Sequence, residues 1–274
     1  MDRDEAILRE LNLYPRWTLR AAPAQSVVDV VLPLRVETPV ATVAQSEEQA
    51  LPQNHPIEDV EHAYPAYVAL EASREEAQPP YREEPASFKV AKTWPELKQQ
   101  VRDCQRCDLR AGCKQTVLGV GNNQADWMFI GEAPGAEEDE RGEPFVGEAG
   151  KLLDNMLAAI KLQRGKQVYI ANVVKCRPPE NHSPSAEQAR QCLPYLARQI
   201  ELIQPKVIVA LGKVAALNLL GEDGALDELR GVLHDYHGIP VVVTYHPAYL
   251  LRRPTAKAQA WQDLCFAVDV MQQA

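Results

Sequence analysis

Glycine is absent from the first 111 residues of this 274-residue chain, and cysteine from the first 88. Those 88 residues carry ten of the 21 prolines, and no domain core is legible in them. Long hydrophobic runs are also lacking. Nothing approaches the ~18–20 apolar residues that span a bilayer, so no membrane-crossing helix is expected. The opening Met1-Asp-Arg-Asp-Glu lacks the basic and apolar regions of a secretory signal, which points to the cytoplasm. In that compartment the six cysteines (104, 107, 113, 176, 192 and 265) read as metal ligands or core residues rather than a disulfide framework. Basic charge is scarce too: 29 Lys+Arg against 38 Asp+Glu give a net −9. An acidic average argues weakly against a nucleic-acid partner, but the average conceals a split. Residues 1–88 hold 7 basic and 16 acidic side chains, whereas residues 89–274 hold 22 of each.

The split divides the chain into three. Residues 1–20 read as a short amphipathic helix, with Ile7, Leu8, Leu11 and Leu13 at near-helical spacing after Asp4 and a stop at Tyr14-Pro15. So short a helix is marginal alone in water and is expected to dock on a surface. Residues 21–88 read as an acidic, Pro/Ala/Glu-rich disordered linker. Residues 89–274 read as one α/β unit. Thr93-Trp-Pro-Glu96 has the form of a capping box opening a helix to about Asp103. Four apolar runs have strand character: 127–131, 168–173, 207–211 and 241–245. Helical patterns follow or separate them at 150–160, 185–203 (with Ser185 and Gln188 as a second capping box), 214–220 and 256–271. Alternating β and α elements with nearly continuous apolar strands imply a mainly parallel, four-stranded central sheet covered on both faces, a three-layer sandwich. Ligands of such sheets bind beyond the carboxyl ends of the strands.

Three strand ends have unusual sequences. After the first comes Gly131-Glu-Ala-Pro-Gly135, opening a twenty-residue segment with five glycines. Its six carboxylates after Gly135 would repel phosphate, and the Lys-Ser/Thr of a nucleotide P-loop is missing. Glu132, directly at the strand end, could orient water or stabilise a cation. The alternative is an acidic surface loop. The second strand ends Asn172-Val-Val-Lys-Cys-Arg-Pro-Pro-Glu-Asn181. The Asn172 amide both donates and accepts, which suits the edge of a pyrimidine and equally suits a structural cap. The fourth ends Tyr245-His246-Pro247, followed by Arg252 and Arg253, which could meet phosphate. Cys104 and Cys107 form a CxxC, and Cys176 and Cys192 make a second, distant pair. Four thiolates can hold zinc or an iron–sulfur cluster. Cys113 is close enough to the CxxC to compete, and Cys265 lies in an apolar helix and reads as core.

Over about residues 90–274 the chain resembles the family-four, iron–sulfur uracil-DNA glycosylases. The resemblance rests on GEAPG (131–135), GEPFVGEAGKLL (142–153), NVVKCRPPEN (172–181), HPAYLLR (246–252) and the four paired cysteines. It implies a uracil-DNA glycosylase-like fold that flips uracil from DNA and hydrolyses its N-glycosidic bond in base-excision repair. Gly131, Ala133 and Gly135 would help bind the substrate. Phe145 would stack on the flipped base, Asn172 would read its Watson–Crick edge, and Glu138 would stand in the wall that excludes the thymine methyl. His246 would stabilise the uracil oxygen, and Glu132 would orient the water and stabilise the sugar cation. Arg252 and Arg253 would contact the DNA backbone. Cys104, Cys107, Cys176 and Cys192 would hold a structural 4Fe-4S cluster. Ala248 stands where many relatives have Ser, and His182 where Arg is common. Against that family pattern the first would remove a phosphate contact and the second would weaken backbone grip, neither touching the chemistry. Ala133 replaces the Asp that activates water in the best-known glycosylase family, which is why Glu132 takes that role.

Residues 2–20 are also similar to the N-terminal segment of the psi subunit of the bacterial polymerase III clamp loader, which holds chi. The shared features are the Arg-Asp start, the Leu-bearing helix and Trp17-Thr-Leu-Arg20. A replisome adaptor that binds chi, with or without glycosylase activity, is therefore the second functional expectation. The glycosylase domain is expected to be monomeric and the protein to be nucleoid-associated.

Overall fold

A computed structural model describes residue 89, residues 91–221 and residues 224–274. The helix expected over 1–20, the linker over 21–88 and the chi-binding peptide lie outside the described residues. Within them, the elements in chain order are α1 (Trp94–Arg102), α2 (Leu109–Gly112), β1 (Val120–Gly121), β2 (Trp127–Gly131), α3 (Ala136–Arg141), α4 (Glu148–Ala159), β3 (Val168–Asn172), α5 (Ala186–Ile203), β4 (Val207–Leu211), α6 (Lys213–Leu220), α7 (Leu226–Leu229), β5 (Leu233–Tyr236), β6 (Ile239–Thr244), α8 (Pro247–Arg252) and α9 (Lys257–Gln273).

The sheet order is β1-β3-β2-β4-β6-β5. The four expected strands form its parallel centre, with Gly131 opposite Asn172 and Leu211 opposite Thr244, so their carboxyl ends lie level. Two short antiparallel strands, β1 and β5, extend it to six. These edges escaped the sequence reading because they are only two and four residues long and half-exposed, with no continuous apolar run. β2, β3 and β4 are buried at every position. Alternate residues serve opposite layers. Met128, Ile130, Ala171, Ile208 and Val243 pack on one face against Val101, Leu196, Ile200 and Ala216. Phe129, Ile170, Val209 and Val242 pack on the other against Leu153, Met156, Leu264 and Ala267. Each large apolar side chain so buried contributes roughly 1.5–3 kcal/mol.

The helix signals also translate into contacts. Ser185 Oγ accepts from Gln188 N (3.1 Å) and Gln188 Oε1 from Ser185 N (2.8 Å), a complete capping box on α5. At α1 only half of the expected box forms. Thr93 Oγ1 accepts from Glu96 N (3.5 Å), but the Glu96 carboxylate turns back to Lys92 N (2.8 Å). The acidic loop after β2 contains α3, closed by Gly142 in the left-handed conformation (φ 76°).

Candidate active site

Parallel pairing continues past the strand ends. Val173 N donates to Gly131 O (2.9 Å) and Val174 N to Glu132 O (3.2 Å), which fixes Glu132 beside Asn172. Asn172 is 2% exposed, and its Oδ1 has no hydrogen-bond partner among the described residues. A buried unpaired acceptor costs about 1–3 kcal/mol, so such an atom is a candidate for ligand contact. Gly131 lets the amide approach: a Cβ there would stand 2.5 Å from Asn172 Oδ1 and 2.5 Å from Phe145 Cζ. Behind the amide, the buried Lys175 Nζ donates to Asn172 O (2.7 Å) and to Gln199 Oε1 (2.6 Å). Gln199 in turn donates to Leu118 O and Tyr169 Oη.

Phe145 is held in a left-handed backbone conformation (φ 55°), which costs a non-glycine residue on the order of 1–2 kcal/mol. Two side chains restrain it. Glu138 Oε1 accepts from Val146 N (2.8 Å) and Gly147 N (3.0 Å), and its Oε2 accepts from Gly135 N (3.0 Å). Arg164, itself paired with Asp154, donates to Pro144 O (2.9 Å) and Phe145 O (2.8 Å). Gly150 is obligatory beneath the turn, because a Cβ would lie 1.9 Å from the Phe145 carbonyl oxygen.

His246 caps α8, its Nδ1 accepting from Ala248 N (3.1 Å). The neutral ring therefore carries its proton on Nε2. Burial, and then the positive charge of Arg252, push its pKa down to about 4 against the opposing Glu138 carboxylate. Its ring centroid lies 5.4 Å from that of Phe145. Gly212, after β4, makes room for it: a Cβ would stand 2.9 Å from His246 Cβ.

These groups converge on a cavity of about 430 Å³. Of the expected residues, Glu132, Ala133, Gly135, Glu138, Phe145, Asn172, His246 and Arg252 line it, as do Ala248 and His182. Gly131 lies against Asn172 and Phe145, and Arg253 is exposed outside the lining. Arg164, Gly212, Lys175 and Gln199 were missed by the sequence reading. Gly212 had the best available signal, a lone glycine at the end of a buried strand. Arg164 had none, since its partners are ten and about twenty residues away.

The cysteines form a second locus. None of the six forms a disulfide; Cys113, Cys176 and Cys192 are buried, and Cys104, Cys107 and Cys265 are half-buried. Burial raises the Cys176 thiol, reinforced by neighbouring Cys113, Cys192 and Cys107. Burial likewise pushes Cys192 up to about 11, with Lys175 opposing and Cys107 and Cys104 reinforcing. Cys107 is raised by burial and, to a lesser degree, by Cys104. The thiols are thus close enough to repel one another as thiolates, a donor set that requires compensating positive charge. Among the described residues no three His, Cys, Asp or Glu side chains converge as they would on a single ion. Thiolates of this kind are donors for zinc and for iron–sulfur clusters alike.

A cavity at the carboxyl ends of a parallel α/β sheet, lined by a carboxylate, an amide and an imidazole, lies where such folds bind their ligands. Residues 118–265 match the uracil DNA glycosylase superfamily, and the chain belongs to that superfamily. Within it, the chain is similar to the type-4 uracil-DNA glycosylase of Archaeoglobus fulgidus, with 43% identity over 176 residues, covering 61% of this chain and 88% of that protein. The type-4 uracil-DNA glycosylase of Thermotoga maritima is 43% identical over 158 residues, covering 57% and 82% respectively. The type-5 uracil-DNA glycosylase of Pyrobaculum aerophilum is more distant, at 32% over 147 residues, covering 47% and 64%. Among the described residues no helix is long and apolar enough to cross a membrane.

Proposed function

We propose that the strand-end cavity is the base pocket of a uracil-DNA glycosylase. The observation that carries this reading is the buried Asn172 amide with an unpaired Oδ1, which meets the Phe145 ring over Gly131. Uracil offers N3–H as a donor between two carbonyl acceptors. A fixed amide can accept from N3–H through Oδ1 and donate through Nδ2 to O4. Cytosine presents an amino group and a bare N3 instead, leaving both partners mismatched, and a buried mismatch of this kind discriminates strongly. Phe145 would stack on the flipped base.

As the N-glycosidic bond stretches, negative charge grows on uracil O2 and positive charge on the sugar. A His246 held neutral, with hydrogen on Nε2, donates to O2 without having to lose a proton first. Glu132 would orient the attacking water and face the sugar cation, and Arg252 would meet a flanking phosphate. Glu138, with both oxygens committed to the loop, would act on base selection by holding Phe145. Cys104, Cys107, Cys176 and Cys192 would hold a 4Fe-4S cluster that orders the loop between Cys176 and Cys192; when bound, it supplies charge compensation and a covalent staple. The chi-adaptor reading rests on residues 2–20 alone.

The test is uracil release from a single-uracil oligonucleotide by wild type, Glu132→Ala and Asn172→Ala. Release by wild type with a loss of 100-fold or more in each variant is expected. Absence of release by wild type would overturn the assignment.

A further inference from the structure

A second recess, of about 880 Å³, lies on the β1 edge of the sheet and is bordered by the end of α3 at Arg141 and Gly142. It is lined by Lys98, Arg102, Arg110 and Arg141, with Glu143 as its one acidic lining residue. Such a concentration is notable in a region whose charges otherwise cancel, 22 against 22 over residues 89–274. Among the described residues Lys98 and Arg102 have no partner. Arg141 reaches Glu137 only at 3.9 Å across an exposed surface. One wall is Trp94, packed against Tyr169 with ring centroids 5.5 Å apart and a tilt of 42°. Gly119 and Gly121, also in the lining, pack closely on β3. A Cβ at the first would meet the Tyr169 ring at 2.7 Å, and one at the second would meet Val168 O at 2.2 Å.

The recess is tied to the base pocket. Asp139 of α3 accepts from Lys114 N and Gln115 N, and Gln115 donates to Glu140 O. Val117 N donates to Lys175 O (2.7 Å), which places this segment at the site-bearing end of β3. Clustered cations, two of them without a partner among the described residues, beside an aromatic wall are the elements by which proteins follow a single nucleic-acid strand without reading its sequence.

Resting on the glycosylase reading, we propose that this recess is a single-strand DNA subsite that takes the strand continuing from the flipped nucleotide. Lys98 and Arg141 meet its phosphates, and Trp94 meets a base or sugar face. Arg102 and Arg110 belong to the same site, but they lie too close to Cys104 and Cys107 to be clean probes.

The test compares the full chain with a Lys98→Ala/Arg141→Ala double variant. Binding of a uracil-free single-stranded 20-mer is followed by fluorescence anisotropy across a salt series. Each lost phosphate contact flattens the salt slope by about 0.7, so a change of about 1.4 and an affinity loss of about 25-fold at 0.1 M salt are expected. Release from a trinucleotide with central uracil, too short to reach the recess, should be unchanged. An unchanged slope on the 20-mer overturns the proposal. So does an equal loss on the trinucleotide, which would mean general damage, or a loss confined to duplex DNA. If wild type fails to release uracil from a single-uracil 20-mer, the glycosylase reading has failed, while the anisotropy arm still decides the recess.

Discussion

Replacing Glu138 with alanine removes the side chain that, among the described residues, ties the start of α3 to the turn carrying Phe145, at Gly135, Val146 and Gly147. Hydrogen bonds to a charged group contribute about 1.5–3 kcal/mol each when buried. Glu138 is half-exposed and water can replace part of what is lost, so about 2–4 kcal/mol in total is expected. Opposing it is the left-handed backbone of Phe145, worth on the order of 1–2 kcal/mol. Without Glu138 the turn is left to Arg164 alone, and the base-stacking arrangement becomes a minor conformer. A fall of roughly 30- to 700-fold in kcat/KM corresponds to that energy range. Glu138→Gln should fall between. Its one oxygen can still accept from Val146 N and Gly147 N, but its amide nitrogen faces Gly135 N, donor against donor. Single-turnover uracil release over a range of enzyme concentrations separates binding from chemistry, and thermal melting monitors the rest of the fold. Glu138→Ala with unchanged kinetics would refute the reasoning. A gain of thymine release with uracil kinetics intact would show instead that Glu138 acts directly as a wall.

Arg164→Met, acting on the same turn from the Phe145 carbonyl, should lower uracil release about 10- to 100-fold, and the loss should be less than additive with Glu138→Ala because both hold one loop. Gly131→Ala places a methyl group 2.5 Å from both Asn172 Oδ1 and Phe145 Cζ; it should displace the ring and abolish uracil binding, measured by quenching with an uncleavable analogue, while leaving the melting temperature within a few degrees. For His246 the folded pKa of about 4 lies below the unfolded value of 6.5, so the unfolded chain binds more protons between them. The resulting stability is fully present above about pH 6.5 and is lost as pH falls towards 4, by about 3 kcal/mol; His246→Gln should flatten that part of a denaturation-versus-pH curve. Anaerobically purified protein should be brown with visible charge-transfer absorption, lost in Cys176→Ala and kept in Cys113→Ser; a colourless zinc protein would refute the cluster.

The sequence alone determined the α/β class and its central strands, because strands buried on both faces must be apolar at every position and so read as continuous runs. It also singled out Glu132, Asn172 and His246 as candidates at the strand ends, but residue type alone left a cap or a surface loop equally open, and their roles came from the family resemblance. The edge strands β1 and β5 left no such trace, being short and half-solvated. Nor did the sequence say what Glu138 does. A carboxylate in an acidic loop looks like a surface charge until folding brings the Gly135, Val146 and Gly147 N–H groups to it. Arg164, Gly212 and the Lys175–Gln199 pair acquire their roles only through contacts between segments distant in the chain. The same holds for charge: −9 described the chain, but only the tertiary structure gathered Lys98, Arg102, Arg110 and Arg141 around one recess. Periodicity and composition record what each segment buries; which side chains meet across segments is decided by packing.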